Sequence, residues 1–258
     1  MKAFVVVLMS YIALFSEPSV ASVTGLTHKV LLVVAMNTEA QPIIDILGLK
    51  ALPRAFSGLP MKGYKGKQGN VEIMLVMNGT DSVHHVQNIG TQAATLSTYL
   101  GIAKFHPDLI MSVGTAGGVV ENGSHLTEIY FSKKVYFFNR RIPMDGYKEY
   151  GLGGYKSVDF TSIGERLGLK PGIMCSGDSF DEEDVDFRMF LKEQCTAVDM
   201  EAAAVAWVSS LTKTPMVAIK GITNFVRGEG IHREYEKNLP IVTMALANTV
   251  KEIFDIYP

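Results

Sequence analysis

Short, almost continuous apolar runs recur along the chain: Lys29–Met36 (KVLLVVAM), Leu109–Val113 and Met216–Ile222. They lack the period-two alternation of a half-exposed strand and fit strands covered on both faces, as in the middle of an α/β sheet. Val71–Met77 joins Tyr64–Lys67 through Gln68-Gly69-Asn70, the layout of a β-hairpin. Glu128–Phe138, with Tyr and Phe in alternation, and Gly172–Ser176 are further predicted strands.

Between these runs the apolar period lengthens to that of a helix. Ile43, Ile44, Ile46 and Leu47 form one helical face that stops near Gly48, and Asn37 or Thr38 is placed to cap it. His84–Leu100, Ser162–Leu169, an acid-capped segment from Asp181–Asp186 through Leu191, Glu201–Ser210 and Tyr235–Ile256 follow. Pro53–Gly63 and Asp145–Phe160 read as loops. Strand and helix alternate after one early hairpin. That order predicts an α/β fold, a three-layer α/β/α sandwich with a mixed central sheet covered by helices on both faces.

A length of 258 residues with 47% hydrophobic composition suffices for one large buried core. The charges are balanced at a net of −2, without a block of one sign. This excludes the clustered cations of a nucleic-acid surface and the composition of a disordered chain. Residues 29–258 are expected to form one domain. Residues 1–21 read as a secretory signal: Lys2, a short apolar run from Ala3 to Phe15, then Ser19-Val20-Ala21 before a cut. The run is short for a membrane span, so no membrane segment is expected in the mature chain. The destination is then extracellular or vacuolar, and cytoplasmic if the segment is not a signal. The sequons Asn78-Gly79-Thr80 and Asn122-Gly123-Ser124 are compatible with the secretory route. Cys175 and Cys195 are too few for a metal site. Each lies in an apolar stretch and reads first as a buried free thiol, with a disulfide left open for a secreted chain.

The candidate chemistry gathers just past the strand ends, where α/β folds place ligands. In Ala197–Val205 a strand end turns directly into a helix, and Asp199, Met200 and Glu201 sit among small residues. A carboxylate buried there needs a partner, and ligand hydroxyls are one. Beside it, Met200 offers a soft apolar surface to a sugar ring. Glu39 follows the first strand, and Thr80 lies in a small polar turn after the hairpin. Gly114, Thr115, Ala116, Gly117 and Gly118 let a ligand approach the backbone closely. Phe180, after Ser179 and before Asp181, could stack on a flat ring. Thr223-Asn224 ends the last strand. Arg140-Arg141 reads either as a site for an acid across a subunit interface or as a solvated pair.

The segments Ala35-Met36 to Glu39, Gly114–Gly118, Ser176–Phe180, Val198–Ala204 and Gly221–Asn224 stand in the order of the purine nucleoside phosphorylase and nucleosidase superfamily. From about residue 29 onward the chain resembles its 5′-methylthioadenosine/S-adenosylhomocysteine nucleosidases most, and Arg140-Arg141-Ile142-Pro143 is similar to the plant-type branch. The resemblance implies cleavage of the N-glycosidic bond of a purine nucleoside, without metal or organic cofactor, by a homodimer. It implies that Glu39 positions and deprotonates water, and that Met200 and Glu201 hold the ribose. Phe180 would stack on the base, and backbone groups around Ser179 and Asp181 would read the base edge. Thr80 and the Gly114 loop would line the ribose and nucleophile side, with Asp199 and Thr223 also lining the site.

The chain departs from this pattern at Asn224, where the nucleosidases carry an aspartic acid. An amide donates a hydrogen bond to the purine N7 but cannot give up a proton. Three readings follow: a nucleosidase with a slower chemical step, a phosphate-dependent enzyme for 6-oxopurine nucleosides, and a nucleoside-binding or storage protein. Phe138-Asn139, where plant-type enzymes have a His-Asp pair, is a second departure. The turn Gly79-Thr80-Asp81 lacks the arginine that phosphorylases present to phosphate, which favours water.

Overall fold

The structure, a computed structural model, describes residues 28–256. The signal-like segment 1–21 lies outside them. The chain begins with β1 (Lys29–Val34) and α1 (Asn37–Ile46), then β2 (Lys50–Leu52), β3 (Lys62–Gln68) and β4 (Val71–Met77). Next come α2 (Thr91–Phe105), β5 (Leu109–Gly118), β6 (Ile129–Phe137), α3 (Tyr147–Leu152), β7 (Gly153–Lys156) and α4 (Thr161–Arg166). The remainder is β8 (Lys170–Ser176), α5 (Asp184–Lys192), β9 (Ala197–Asp199), α6 (Ala202–Thr212), β10 (Met216–Phe225) and α7 (Ile231–Ile256).

The ten strands form one mixed sheet in the order β10-β6-β8-β9-β5-β1-β4-β3-β2, with β7 on β6. Strand β1 explains the unbroken apolar runs. Val30, Leu32 and Val34 pack with Ile43 and Ile44 of α1 and with Val242, Leu246 and Val250 of α7. Leu31 and Val33 face the other way, into the layer of α2 and α6. Each side chain from Val30 to Val34 is therefore buried, whichever face it points to. The α6 alanines Ala202, Ala203, Ala204 and Ala206 are buried in that second layer. The expected three-layer architecture with a mixed sheet is the one observed. One feature goes beyond it: β10 pairs with β5 as well as β6, which closes β5, β9, β8, β6 and β10 into a ring with β7 outside it.

Several local expectations are corrected. Helix α2 begins at Thr91 rather than His84. The Asp81 carboxylate accepts from Val83 N and His84 N, which turns the chain there, and Gly90 at φ +95° starts the helix. The glycine stretch 114–118 is strand, not loop. The presumed loop 145–160 holds α3 and β7. Helix α1 is capped neither by Asn37 nor by Thr38. Met36 is its N-cap, and Glu39 supplies the reciprocal bond to Met36 N at 3.2 Å.

Cys175 and Cys195 are not free thiols but a disulfide, fully buried. Asn78 is wholly buried just past β4, and the Asn122 side chain is committed to the fold, donating to Phe190 O and Cys195 O. The two arginines find partners within the chain: Arg141 pairs with Asp186, and Arg140 stacks over Phe137 and Tyr150.

Candidate active site

Parallel strands β1, β5 and β10 end on one edge of the sheet, and a cavity opens there. Glu39 enters it from the third position of α1. The bond to Met36 N takes one of its oxygens. The other accepts from Thr115 N at 2.7 Å and Thr115 Oγ1 at 2.8 Å. The carboxylate is 4% exposed and fixed in direction. A Cβ on Gly114 would lie 3.0 Å from Glu39 Oε1, so a side chain there would displace the carboxylate by a few tenths of an ångström. Gly114 leaves room for the carboxylate and does not itself line the cavity.

Across the cavity, β9 delivers Asp199, Met200 and Glu201. Asp199 is wholly committed to the protein: it accepts from Ser176 Oγ, from Ala202 N at 2.9 Å and from Lys220 Nζ at 2.6 Å. Lys220 comes from the centre of β10 and is 2% exposed. Burial opposes its charge, but the carboxylates of Asp199, Glu201 and Glu39 outweigh that and raise its pKa. Glu201 is treated differently. Among the described residues its one hydrogen-bond donor is Gly90 N, at 3.0 Å, just before α2. Burial raises its pKa to about 7; Lys220 opposes the rise, while the charges of Asp199 and Glu39 add to it. A carboxylate so placed lacks donors and would gain from new ones.

The third wall is β10. Its register against β5 slips between Ile222 and Asn224, so Thr223 is an inserted residue. Bulges of this kind re-aim side chains at sites. Thr223 Oγ1 lies 2.9 Å from Asn224 Oδ1, and Asn224 Nδ2 donates to Phe225 O at 3.0 Å. Gly117 faces this amide: a Cβ on it would be 3.4 Å from Asn224 Nδ2. Ser179 and Phe180 close the rim. Phe180 is 48% exposed, stacks on His232 at 5.3 Å and meets the Tyr235 ring edge-on at 5.8 Å. Arg227 ties the two flanking loops together through Glu182 and Asp184, each at 2.8 Å.

The model of the phosphorylase superfamily matches residues 29–255 of this sequence. The chain belongs to the phosphorylase superfamily. Among its relatives is the 5′-methylthioadenosine/S-adenosylhomocysteine nucleosidase of Arabidopsis thaliana, 35% identical over 233 residues that cover 88% of this chain and 90% of the relative. The 5′-methylthioadenosine nucleosidase of the same plant is 33% identical over 230 residues, 88% of this chain and 86% of the relative. The solved apo structure of A. thaliana 5′-methylthioadenosine nucleosidase superposes with a TM-score of 0.87 at 32% identity, covering 89% of this chain and 95% of that one.

Within this phosphorylase-superfamily fold, most residues singled out by sequence converge on one cavity. Glu39, Thr115, Ala116 and Gly117 meet Ser179 and Phe180 there, with Asp199, Met200 and Glu201 opposite and Thr223 and Asn224 alongside. Thr80 and Asp181 do not line it. Thr80 Oγ1 accepts from Gln87 Nε2, whose amide oxygen accepts from Asn37 N, so the Thr80 turn stands behind α1. Its place at the rim is taken by Ile89. Asp181 is exposed on the far side of the Phe180 turn. Asp199 lies at the wall, but its oxygens are spent on the fold.

Sequence reasoning missed Met36, Val226, Tyr235 and Lys220. Met36 stands in the Ala35–Glu39 segment that carries the resemblance, with no role assigned to it, and Val226 and Tyr235 have no signal of their own. Lys220 did carry one. A lysine inside an unbroken apolar strand must find a buried acid, and Asp199 was available. Among the described residues, no group of His, Cys, Asp and Glu is placed to hold a metal ion, and no helix is long and apolar enough to cross a membrane.

Proposed function

We propose that this chain hydrolyses the N-glycosidic bond of a purine nucleoside, with 5′-methylthioadenosine or S-adenosylhomocysteine as substrate, releasing adenine and the ribosyl product. The observation that carries the reading is two carboxylates on one cavity, Glu39 buried and saturated with protein donors, Glu201 partly exposed to the cavity and short of them. Glu201 takes the ribose hydroxyls as its missing donors, and Met200 packs on the sugar. Glu39, held in direction by Met36 and Thr115, orients water toward the anomeric carbon and removes its proton. The transition state carries positive charge on the sugar, and two carboxylates in a water-poor site stabilise it. Phe180 stacks on the base.

Asn224 donates to N7 with the N–H that Phe225 O does not occupy. It has no proton to transfer, so the base leaves with a hydrogen bond rather than an acid. General acid help is commonly worth about 10²–10⁴-fold, and the chemical step is slower by some part of that. The same amide favours a second reading, in which the base is a 6-oxopurine and phosphate is the nucleophile.

Val83, Val86, Leu96 and Tyr99 are exposed, and so is Ile89, which also lines the cavity. This supports a homodimer whose second subunit covers the mouth. The buried Cys175–Cys195 disulfide supports the secretory route.

The test is release of free base from 5′-methylthioadenosine, S-adenosylhomocysteine, adenosine and inosine, with and without phosphate. Adenine released without phosphate is the expected result. Hypoxanthine released only with phosphate supports the second reading. No release from any of them, with nucleoside still bound in calorimetry, makes the chain a binding protein.

A further inference from the structure

Asn224, the proposed donor to the base, stands at a break in its strand. The register of β10 against β5 passes from Ile222 opposite Ala116 to Asn224 opposite Gly117, and Thr223 has no partner residue between them. A bulge of this kind disrupts the ladder locally. Two side chains of α7 take hold of the backbone there. Asn238 Nδ2 donates to Thr223 O at 2.8 Å, and Glu234 Oε2 accepts from Phe225 N at 2.8 Å. The two residues lie one helical turn apart and share a face of α7.

These two bonds bracket Asn224. Thr223 O belongs to the peptide plane before it, and Phe225 N to the plane after it. Holding both planes fixes φ and ψ of Asn224, the two soft dihedrals that set the direction of its Cα–Cβ bond. Neither Glu234 nor Asn238 lines the cavity, and Asn238 is buried. An acid in a first helical turn ordinarily serves the N–H groups of its own helix. Glu234 instead serves the strand that carries Asn224.

We propose that Glu234 and Asn238 are positioning residues, which aim the Asn224 amide at the purine N7 from α7. This rests on the proposed function, in which Asn224 donates to that nitrogen. A swing of the amide by about 1 Å loses a hydrogen bond to a fixed acceptor. The seat of α7 on the bulge therefore decides whether the base is held at N7.

Adenine and 7-deazaadenine differ at position 7, a nitrogen acceptor in one and a C–H in the other, and neither has a glycosidic bond to cleave. Calorimetry of both bases with wild type, Glu234→Ala, Asn238→Asp and Glu234→Gln tests the inference. The wild type should bind adenine about five- to tenfold more tightly than 7-deazaadenine, the worth of one net hydrogen bond. Glu234→Ala removes the acceptor for Phe225 N, and Asn238→Asp presents an oxygen to Thr223 O. In both, the ratio should fall to near one while Kd for 7-deazaadenine stays near the wild-type value. Glu234→Gln keeps an acceptor and should keep the ratio. A wild-type ratio of one refutes the donation from Asn224 itself, and the inference with it. A wild-type preference for adenine that Glu234→Ala and Asn238→Asp retain refutes the role of α7 alone, as does an equal loss of both bases, the mark of a merely structural effect.

Discussion

Glu201 is a functional group held at a cost to the fold, and that cost can be measured. Its carboxyl ordinarily titrates at 4.5 and in the folded protein at about 7, because desolvation opposes its charge and, among the described residues, one hydrogen-bond donor answers it. Each pH unit of displacement is worth about 1.4 kcal/mol. A folded-state pKa raised above the unfolded one means that the folded protein holds the proton more tightly. No penalty is present below pH 4.5; it grows as pH rises and is complete above about 7, where it reaches about 3 kcal/mol. Glu201→Gln keeps an acceptor for Gly90 N and removes the charge. The stability of Glu201→Gln relative to wild type should therefore rise by about 3 kcal/mol between pH 4.5 and pH 8, whatever constant offset the amide introduces. Urea unfolding of both proteins, followed by circular dichroism at several pH values, measures this directly. A difference that is flat with pH, or that falls as pH rises, would refute the electrostatic account of Glu201. The variant should also lose nucleoside turnover, the usual exchange of activity for stability at a strained site.

Other outcomes follow from the same geometry. Asn224→Asp restores a group able to carry a proton and should raise kcat for 5′-methylthioadenosine at least tenfold, within the range of general acid catalysis; an unchanged kcat would mean that leaving-group protonation does not limit the rate. Lys220→Met strands Asp199 in the core and should cost about 3–5 kcal/mol in urea unfolding, with much of the loss recovered in Asp199→Leu/Lys220→Met. Gly114→Ala presses a methyl group against the Glu39 carboxylate and should lower kcat well before it lowers Tm.

The parts legible in the sequence were those decided by local pattern. The run Lys29–Val34 and the periodicity of Val242, Leu246 and Val250 can satisfy their side chains in only one kind of layered fold. The unread parts depend on distant partners. Helix α2 carries a period that extends back toward His84, yet Asp81 and Gly90 override it with a turn. The glycines of β5 looked like a loop because the reasons for them, the Glu39 carboxylate and the side chains of Val226 and Ile222, come from elsewhere in the chain. Pairing of β10 with both β5 and β6 leaves no trace in either strand's own pattern. Within the site, Glu39 and Glu201 were found because acids next to strand ends are conspicuous. Tyr235 was not, because a tyrosine early in an amphipathic helix is ordinary until Phe180 and Met36 are placed against it.

The central claim divides two carboxylates between two tasks on one sugar, and calorimetry of a purine nucleoside with Glu39→Gln and Glu201→Ala tests it most directly. Glu39→Gln should bind within a few-fold of the wild-type Kd while releasing no base, and Glu201→Ala should bind at least tenfold more weakly. Equal binding by both variants, or base release by Glu39→Gln at the wild-type rate, would contradict it.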